Sequence, residues 1–303
     1  MGAAVHALHA GDLVILPTET VYGLAADASN PAAVAKIYEA KGRPSFNPLI
    51  SHVADLETAE RLAVLDDRAR ALARVFWPGP LTIVAPFRQG AAVCDLARAG
   101  LDTVALRVPA HPVALELLRA FGGAVAAPSA NRSGRPSPTA FADAMEETGL
   151  SAAAALDGGP CTVGLESTVV AVLAGDIQLL RPGGVDRRAI EAVVGPLGRA
   201  HADAHRSPGR LALHYAPNAP VRLEVTTPEP GEAYLAFGPH AREEGVWNLS
   251  PTGDLREAAA NLFAYLRAAD RTSPRAIAVA PVPQHGLGEA INDRLRRAAG
   301  FVG

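Results

Sequence analysis

Apolar residues fall in short blocks separated by turn residues, and the blocks switch between strand-like runs and helical periodicity. Residues 12–16 (Asp-Leu-Val-Ile-Leu) predict a buried strand ending at Pro17. Asn30 offers a cap, and Pro31 a first-turn residue, for a helix from 31 to about 40. The pattern then predicts a strand over 49–53, a helix over 66–76 stopped by Pro78-Gly79-Pro80, and strands over 81–85 and 103–108. A helix over 112–121 is ended by Gly122-Gly123, and a short strand over 125–127 runs into Pro128. A helix over 139–148 follows, then paired strands over 168–172 and 177–180 around Gly175-Asp176. Asp186 caps a helix to about 194.

The pattern changes over 195–218, a stretch rich in Gly, Pro, His and Arg with little periodicity. A connection this long is a linker or a functional lid. Beyond it a strand over 234–237, a helix over 255–267, a strand over 276–279 and a helix over 287–298 alternate, which predicts a small α/β domain with a parallel sheet. The chain therefore divides into a catalytic domain (1–198), a linker or lid (199–217) and a small C-terminal domain (218–303), consistent with a length of 303 residues. The second domain is expected to be a scaffold and lid support without chemistry of its own.

Composition narrows the class. At 49% hydrophobic and 19% charged residues the chain is globular. A net charge of −3 provides no general field for nucleic acid, so direct tRNA or other RNA binding is not expected. Cys94 and Cys161 form no Cys-x-x-Cys pair and fit thiols in a reducing compartment. No run of 18 apolar residues and no signal-like start is present, so the expectation is a cytoplasmic protein without a membrane partner. Lysine occurs only at Lys36 and Lys41 among 28 basic residues, which singles out both as places where a compact ammonium is wanted. There is no Walker A loop, no Gly-x-Gly-x-x-Gly opening a helix and no His-Glu-x-x-His, so no protein-held metal is expected.

Five polar clusters lie at or near strand ends, where α/β proteins bind ligands. The first is Pro17 to Leu24 (PTETVYGL), equally a simple turn when taken alone. The second is Lys41-Gly42-Arg43-Pro44 with Asn47-Pro48 and then His52: two cations flank a glycine, as phosphate oxygens require or as a helix C-terminus does. In the third, alternation puts Thr103 and Arg107 on one strand face, where Arg107 is either a fork for a carboxylate or a surface arginine. The fourth is Pro128-Ser129-Ala130-Asn131 with Ser137, and the fifth is Gly164-Leu165-Glu166-Ser167-Thr168 with Arg181-Pro182-Gly183. Each of these alone could be turn chemistry.

Together and in order, the five clusters resemble the YrdC-like family, whose best-known members are threonylcarbamoyl-AMP synthases. Ser207-Pro208-Gly209, His214-Tyr215-Ala216-Pro217 and the tail from Gly286 to Leu295 resemble the longer, two-domain form, with Arg210 and Leu213 departing from the usual linker pattern. The resemblance implies a YrdC-like twisted mixed sheet with flanking helices, plus a smaller Rossmann-like α/β domain. It implies synthesis of threonylcarbamoyl-AMP from L-threonine, bicarbonate or CO2 and ATP, with Mg2+ on the ATP and pyrophosphate released. The product would pass to a tRNA threonylcarbamoyl-transfer complex that modifies the adenosine beside the anticodon. By position, Thr20, His52, Arg107, Ala127 and Ser167 would face threonine. Arg43, Asn47, Thr103, Ser129, Ser137, Arg181 and Tyr215 would face ATP. Lys41, Arg43 and Arg181 would be the catalytic cations at the phosphates. The alternatives are an RNA-binding module and carbamoyl-adenylate chemistry on another substrate.

Overall fold

Helix starts in this chain follow local side-chain chemistry. Asn30 accepts from the amides of Ala32 and Ala33, and Asp55, Asp66, Asp186 and Asp254 each accept from an amide in the first turn of the helix they precede. The computed structural model describes residues 1–44, 47–173, 175–199, 214–239 and 245–300. The predicted linker (199–217) lies outside the described residues over 200–213, and with it Ser207-Pro208-Gly209, Arg210 and Leu213.

In chain order the first part comprises α1 (Gly2–His9), β1 (Val14–Leu16), β2 (Gly23–Asp27), α2 (Pro31–Lys41), β3 (Ile50–His52), α3 (Leu56–Leu62) and α4 (Asp67–Phe76). Next come β4 (Leu81–Pro86), α5 (Asp95–Arg98), β5 (Thr103–Arg107), α6 (Pro112–Phe121), β6 (Val125–Ala126), α7 (Phe141–Thr148) and β7 (Ala154–Ala155). Then follow β8 (Thr168–Leu173), β9 (Asp176–Arg181), α8 (Arg187–Val194) and β10 (Gly198–Arg199). Their strands form one mixed ten-stranded sheet ordered β10-β9-β8-β4-β5-β3-β6-β2-β1-β7. The second part holds β11 (Val221–Arg222), β12 (Glu232–Ala236), β13 (Val246–Asn248), α9 (Leu255–Arg271), β14 (Ala276–Val279) and α10 (Gly288–Ala298). Its four strands are all parallel, ordered β11-β14-β12-β13. Both sheets match the expected α/β class, a twisted mixed sheet and a smaller Rossmann-like one. No described helix is long and apolar enough to cross a membrane.

Strand pairing brings the polar clusters to one place. β3 and β5 run parallel with His52 opposite Arg107, and β6 runs antiparallel to β3 with Val125 opposite His52. The C-terminal ends of β3 and β5 therefore lie beside the start of β6, the loops that follow β1 and β6 meet through the bridge between Gly23 and Ser129, and the Arg107 side chain spans from the one group to Thr20 in the other. One core packs helices α2 to α5 against the large sheet. A smaller apolar patch (Ile50, Val84, Ala105, Val169, Ala171, Leu180) covers part of the sheet.

The two parts share a core. Val21 and Leu165, from the first part, belong to the same buried cluster as Leu262, Phe263, Leu266 and Ile291 of the second. Gly164 lies so close to α9 that a β-carbon there would sit 2.4 Å from the Cα of Ala260. Ion pairs cross the same seam: Arg267 to Glu147 (3.0 Å), Arg271 to Asp143 (2.6 Å), Arg187 to Glu289 (2.6 Å) and Arg294 to Glu166 (2.8 Å).

Candidate active site

The loop after β1 is folded by its own hydroxyls. The Thr18 hydroxyl donates to the carbonyl of Val21 at 2.6 Å and accepts from the Thr20 and Val21 amides. Its bond to the Thr20 hydroxyl (2.8 Å) is then donated by Thr20. This places Thr20 against Arg107, whose Nη1 donates to the Thr20 oxygen at 2.8 Å. Arg107 also donates from Nε to the Gly79 carbonyl (3.1 Å) and from Nη2 to Glu19 (2.6 Å). Of its five N–H groups, one on each terminal nitrogen is left for a ligand. Beside it His52 is buried, and desolvation together with the Arg107 charge pushes its imidazole down to about 3, so the ring is neutral.

The opposite wall comes from β8 and β9. Arg181 donates to the Ser167 carbonyl from Nε (3.2 Å) and Nη2 (2.9 Å), and Nη2 also reaches the Ser167 hydroxyl (3.2 Å). Ser167 is tied in turn to the Thr82 hydroxyl at 2.7 Å. Arg43 donates to the Pro48 carbonyl at 3.3 Å, and burial pushes its guanidinium down to about 10, still protonated at neutral pH. Over these groups lies Tyr215, 1% exposed and held in the left-handed region (φ 64°), which a bulky side chain rarely adopts. Its ring stacks edge-on with His214 (3.9 Å) and packs near Phe263 (5.4 Å).

One cavity joins both walls: Thr20, Arg43, His52, Arg107, Ala127, Ser129, Ser167, Arg181 and Tyr215, all expected from the sequence, line it together. The lining carries three guanidiniums against one carboxylate, Glu166, so it suits an anionic ligand.

Residues 6–183 match the Sua5_yciO_yrdC family, described as "Telomere recombination". The chain belongs to the Sua5/YciO/YrdC family. Residues 185–300 match Sua5_C, described as "Threonylcarbamoyl-AMP synthase, C-terminal domain". The chain is 42% identical to the threonylcarbamoyl-AMP synthase of Bacillus subtilis, over 97% of this chain and 91% of that one. It is 41% identical to that of Pyrococcus abyssi, over 96% and 91%. The crystal structure of P. abyssi Sua5 complexed with L-threonine superposes with a TM-score of 0.90 at 39% identity, covering 98% of this chain and 93% of that one.

Four expected positions of this Sua5/YciO/YrdC family chain do not line the cavity. Lys41 is buried behind the wall, and its ammonium donates to the carbonyls of Ser129 and Asn131, so it braces that loop. Burial, followed by the Arg43 charge, lowers its pKa well below the ordinary lysine value. Ser137 lies behind Glu166, to which it donates at 2.6 Å. Thr103 starts β5, four residues and about 13 Å of strand away from Arg107. Asn47 is buried, with its carbonyl accepting from the Tyr38 hydroxyl at 3.1 Å. Conversely, Thr18, Glu166 and His214, which stand inside the quoted motifs but carry no expected role, also line the cavity. Each sits one or two positions from a chosen residue, and that adjacency was the available signal.

Proposed function

We propose that this chain makes threonylcarbamoyl-AMP for the modification of the adenosine beside the anticodon of tRNA. The carrying observation is a single cavity that brings the Thr20–His52–Arg107 cluster and the Arg43–Arg181 pair under one aromatic cover. The threonine amine adds to CO2, supplied as such or from bicarbonate, and gives a carbamate. A carbamate oxygen then attacks the α-phosphorus of ATP, the bond to the β-phosphate oxygen breaks, and pyrophosphate leaves. No side chain becomes acylated, so the protein contributes positioning and charge neutralisation, with roughly 7–11 kcal/mol available from orienting the reactants.

Arg107 presents its two remaining N–H groups to the threonine carboxylate. Thr20, the neutral His52 and Ser167 recognise the rest of the amino acid, with the Ala127 backbone as the floor. Arg43 and Arg181 face the phosphates, and Ser129, braced by Lys41, shapes the nucleotide side. His214 and Tyr215 shield the carbamate and the mixed anhydride, both labile in water. Among the described residues no group of three His, Cys, Asp or Glu could hold a metal. In this scheme Mg2+ would come with ATP, whose phosphates carry it. The product goes on to a separate complex that transfers it to tRNA.

The test is direct. Purified protein is incubated with L-threonine, bicarbonate and ATP, and products are read by mass spectrometry within minutes. An adenylate of threonylcarbamate that needs all three substrates is expected. Pyrophosphate released without that adenylate, or no pyrophosphate at all, would refute the reading.

A further inference from the structure

We propose that Arg294, on α10 of the second domain, is a positioning residue of the active site: it neutralises and aims Glu166, and so keeps Arg181 free for the polyphosphate of the nucleotide. The inference rests on the reading of the cavity as an ATP site. It also departs from the expectation that the second domain has no part in the chemistry.

Glu166 lines the cavity, and both of its carboxylate oxygens are engaged. Oε1 accepts from the Ser137 hydroxyl at 2.6 Å, and Oε2 accepts from Arg294 Nε at 2.8 Å across 128 residues of sequence. Arg294 is fully buried, which is rare for an arginine and costs desolvation unless paired. It is paired: Nη1 donates to Asp293 at 2.6 Å, and Asp293 is gripped in turn by Arg297 at 3.1 Å. Its guanidinium carbon also lies 5.3 Å from the centre of the Tyr215 ring. One side chain of the second domain thus touches both a cavity-wall carboxylate and the cavity cover.

Arg181 is the contrasting cation. It lines the same cavity, it bonds only to Ser167, and it has no ion pair among the described residues. Burial alone would raise the Glu166 pKa, yet the carboxyl is held below its ordinary value, by Arg294 first and Arg181 second. If Arg294 were removed, Glu166 would keep a buried charge with Arg181 as its remaining guanidinium. Arg181 would be drawn to it, and the carboxylate would repel incoming phosphates. The predicted defect is therefore electrostatic, specific for ATP and reversible by deleting the opposing charge.

The test measures ATP and L-threonine affinity separately by calorimetry, alongside adenylate formation, for the wild type, R294M, E166Q and E166Q/R294M. In R294M the ATP affinity should fall at least about tenfold and that for threonine by less than about threefold. The second substitution should recover most of the ATP loss, because Gln still accepts from Ser137 and no charge is left unpaired. E166Q alone should tighten ATP binding. A merely structural role for Arg294 predicts equal losses for both ligands and no recovery in the double variant, and either result overturns the proposal, as does weaker ATP binding in E166Q. If R294M does not fold, the double variant and E166Q decide the matter by the same criteria. A wild type that binds ATP but yields no adenylate would sink the assigned reaction while the ATP affinities still judge Arg294. A wild type that binds no ATP would sink both.

Discussion

Replacing Gly164 by alanine separates the two domains by a calculable amount. Gly164 has φ +73°, in the left-handed region, where a β-carbon costs roughly 1–2 kcal/mol. That β-carbon would lie 2.4 Å from the Cα of Ala260, 2.6 Å from the Ala259 carbonyl oxygen and 2.7 Å from the Ala260 carbonyl oxygen. All three are backbone atoms of α9, which cannot rotate aside. To restore ordinary contact at 3.4 Å the helix must retreat by about 1 Å. Phe263 rides on α9 and packs near Tyr215, so the retreat loosens the cavity cover as well as the shared core. The conformational cost alone lowers Tm by roughly 2–8 °C, at about 2–4 °C per kcal/mol for a chain of this class. The steric displacement should lower it further and weaken ATP binding severalfold. Gly90→Ala is the control, since it shares a positive φ (+79°) but has no atom within 4 Å of the added carbon. Thermal unfolding and ATP calorimetry on both variants separate the two effects. A Gly164→Ala protein that matches Gly90→Ala in Tm and in ATP affinity would show that the seam is not tight at this point.

Three further outcomes are expected. Arg107→Ala should weaken threonine binding far more than ATP binding, and should also destabilise the fold by about 3–5 kcal/mol because Glu19 loses its partner in the interior; calorimetry and denaturant titration read the two parts. Lys41→Met should lower both Tm and nucleotide affinity, since Lys41 braces the Ser129–Asn131 loop; a loss of nucleotide affinity at unchanged Tm would instead mean that the ammonium acts on phosphate alone. His52 and His214 are both pushed by burial to about 3 from an ordinary 6.5, so the unfolded chain binds protons that the fold refuses between those values. Stability should fall as pH drops below about 6.5, with no contribution from either ring above it, and His52→Gln should flatten the decline in denaturant titrations at pH 7.5 and 5.5.

Local chemistry made much of the fold legible. Asn30-Pro31, Asp66 and Asp186 mark helix starts to within a residue, and the strands at Leu81, Thr103 and Ala276 stand as the alternation predicts. Eight elements escaped (α1, β2, α3, α5, β7, β10, β11 and β13), and for two of them the physical reason is plain. Helix α1 has no side-chain cap, and β2 (Gly-Leu-Ala-Ala-Asp) carries small residues of low strand preference that become a strand by pairing with β1 and β6. In the site, nine residues expected from the ordered motifs line one cavity, among them Arg43 just past a helix and Tyr215 ahead of the second sheet. Thr103 and Arg107 do share a strand face, but four residues of extended chain put one of them outside the cavity. The Glu166–Arg294 pair joins positions 128 residues apart, beyond the reach of any local pattern.

The late position of Arg294 bears on how the chain matures at the ribosome. The chain must emerge as far as 263 before Tyr215 finds the phenylalanine it leans on, and as far as 294 before the carboxylate at 166 meets its counter-charge. Domains fold roughly in order of synthesis. The nascent first domain therefore holds its cavity groups without a finished pocket, and adenylating capacity should switch on only once α10 has left the ribosome and docked.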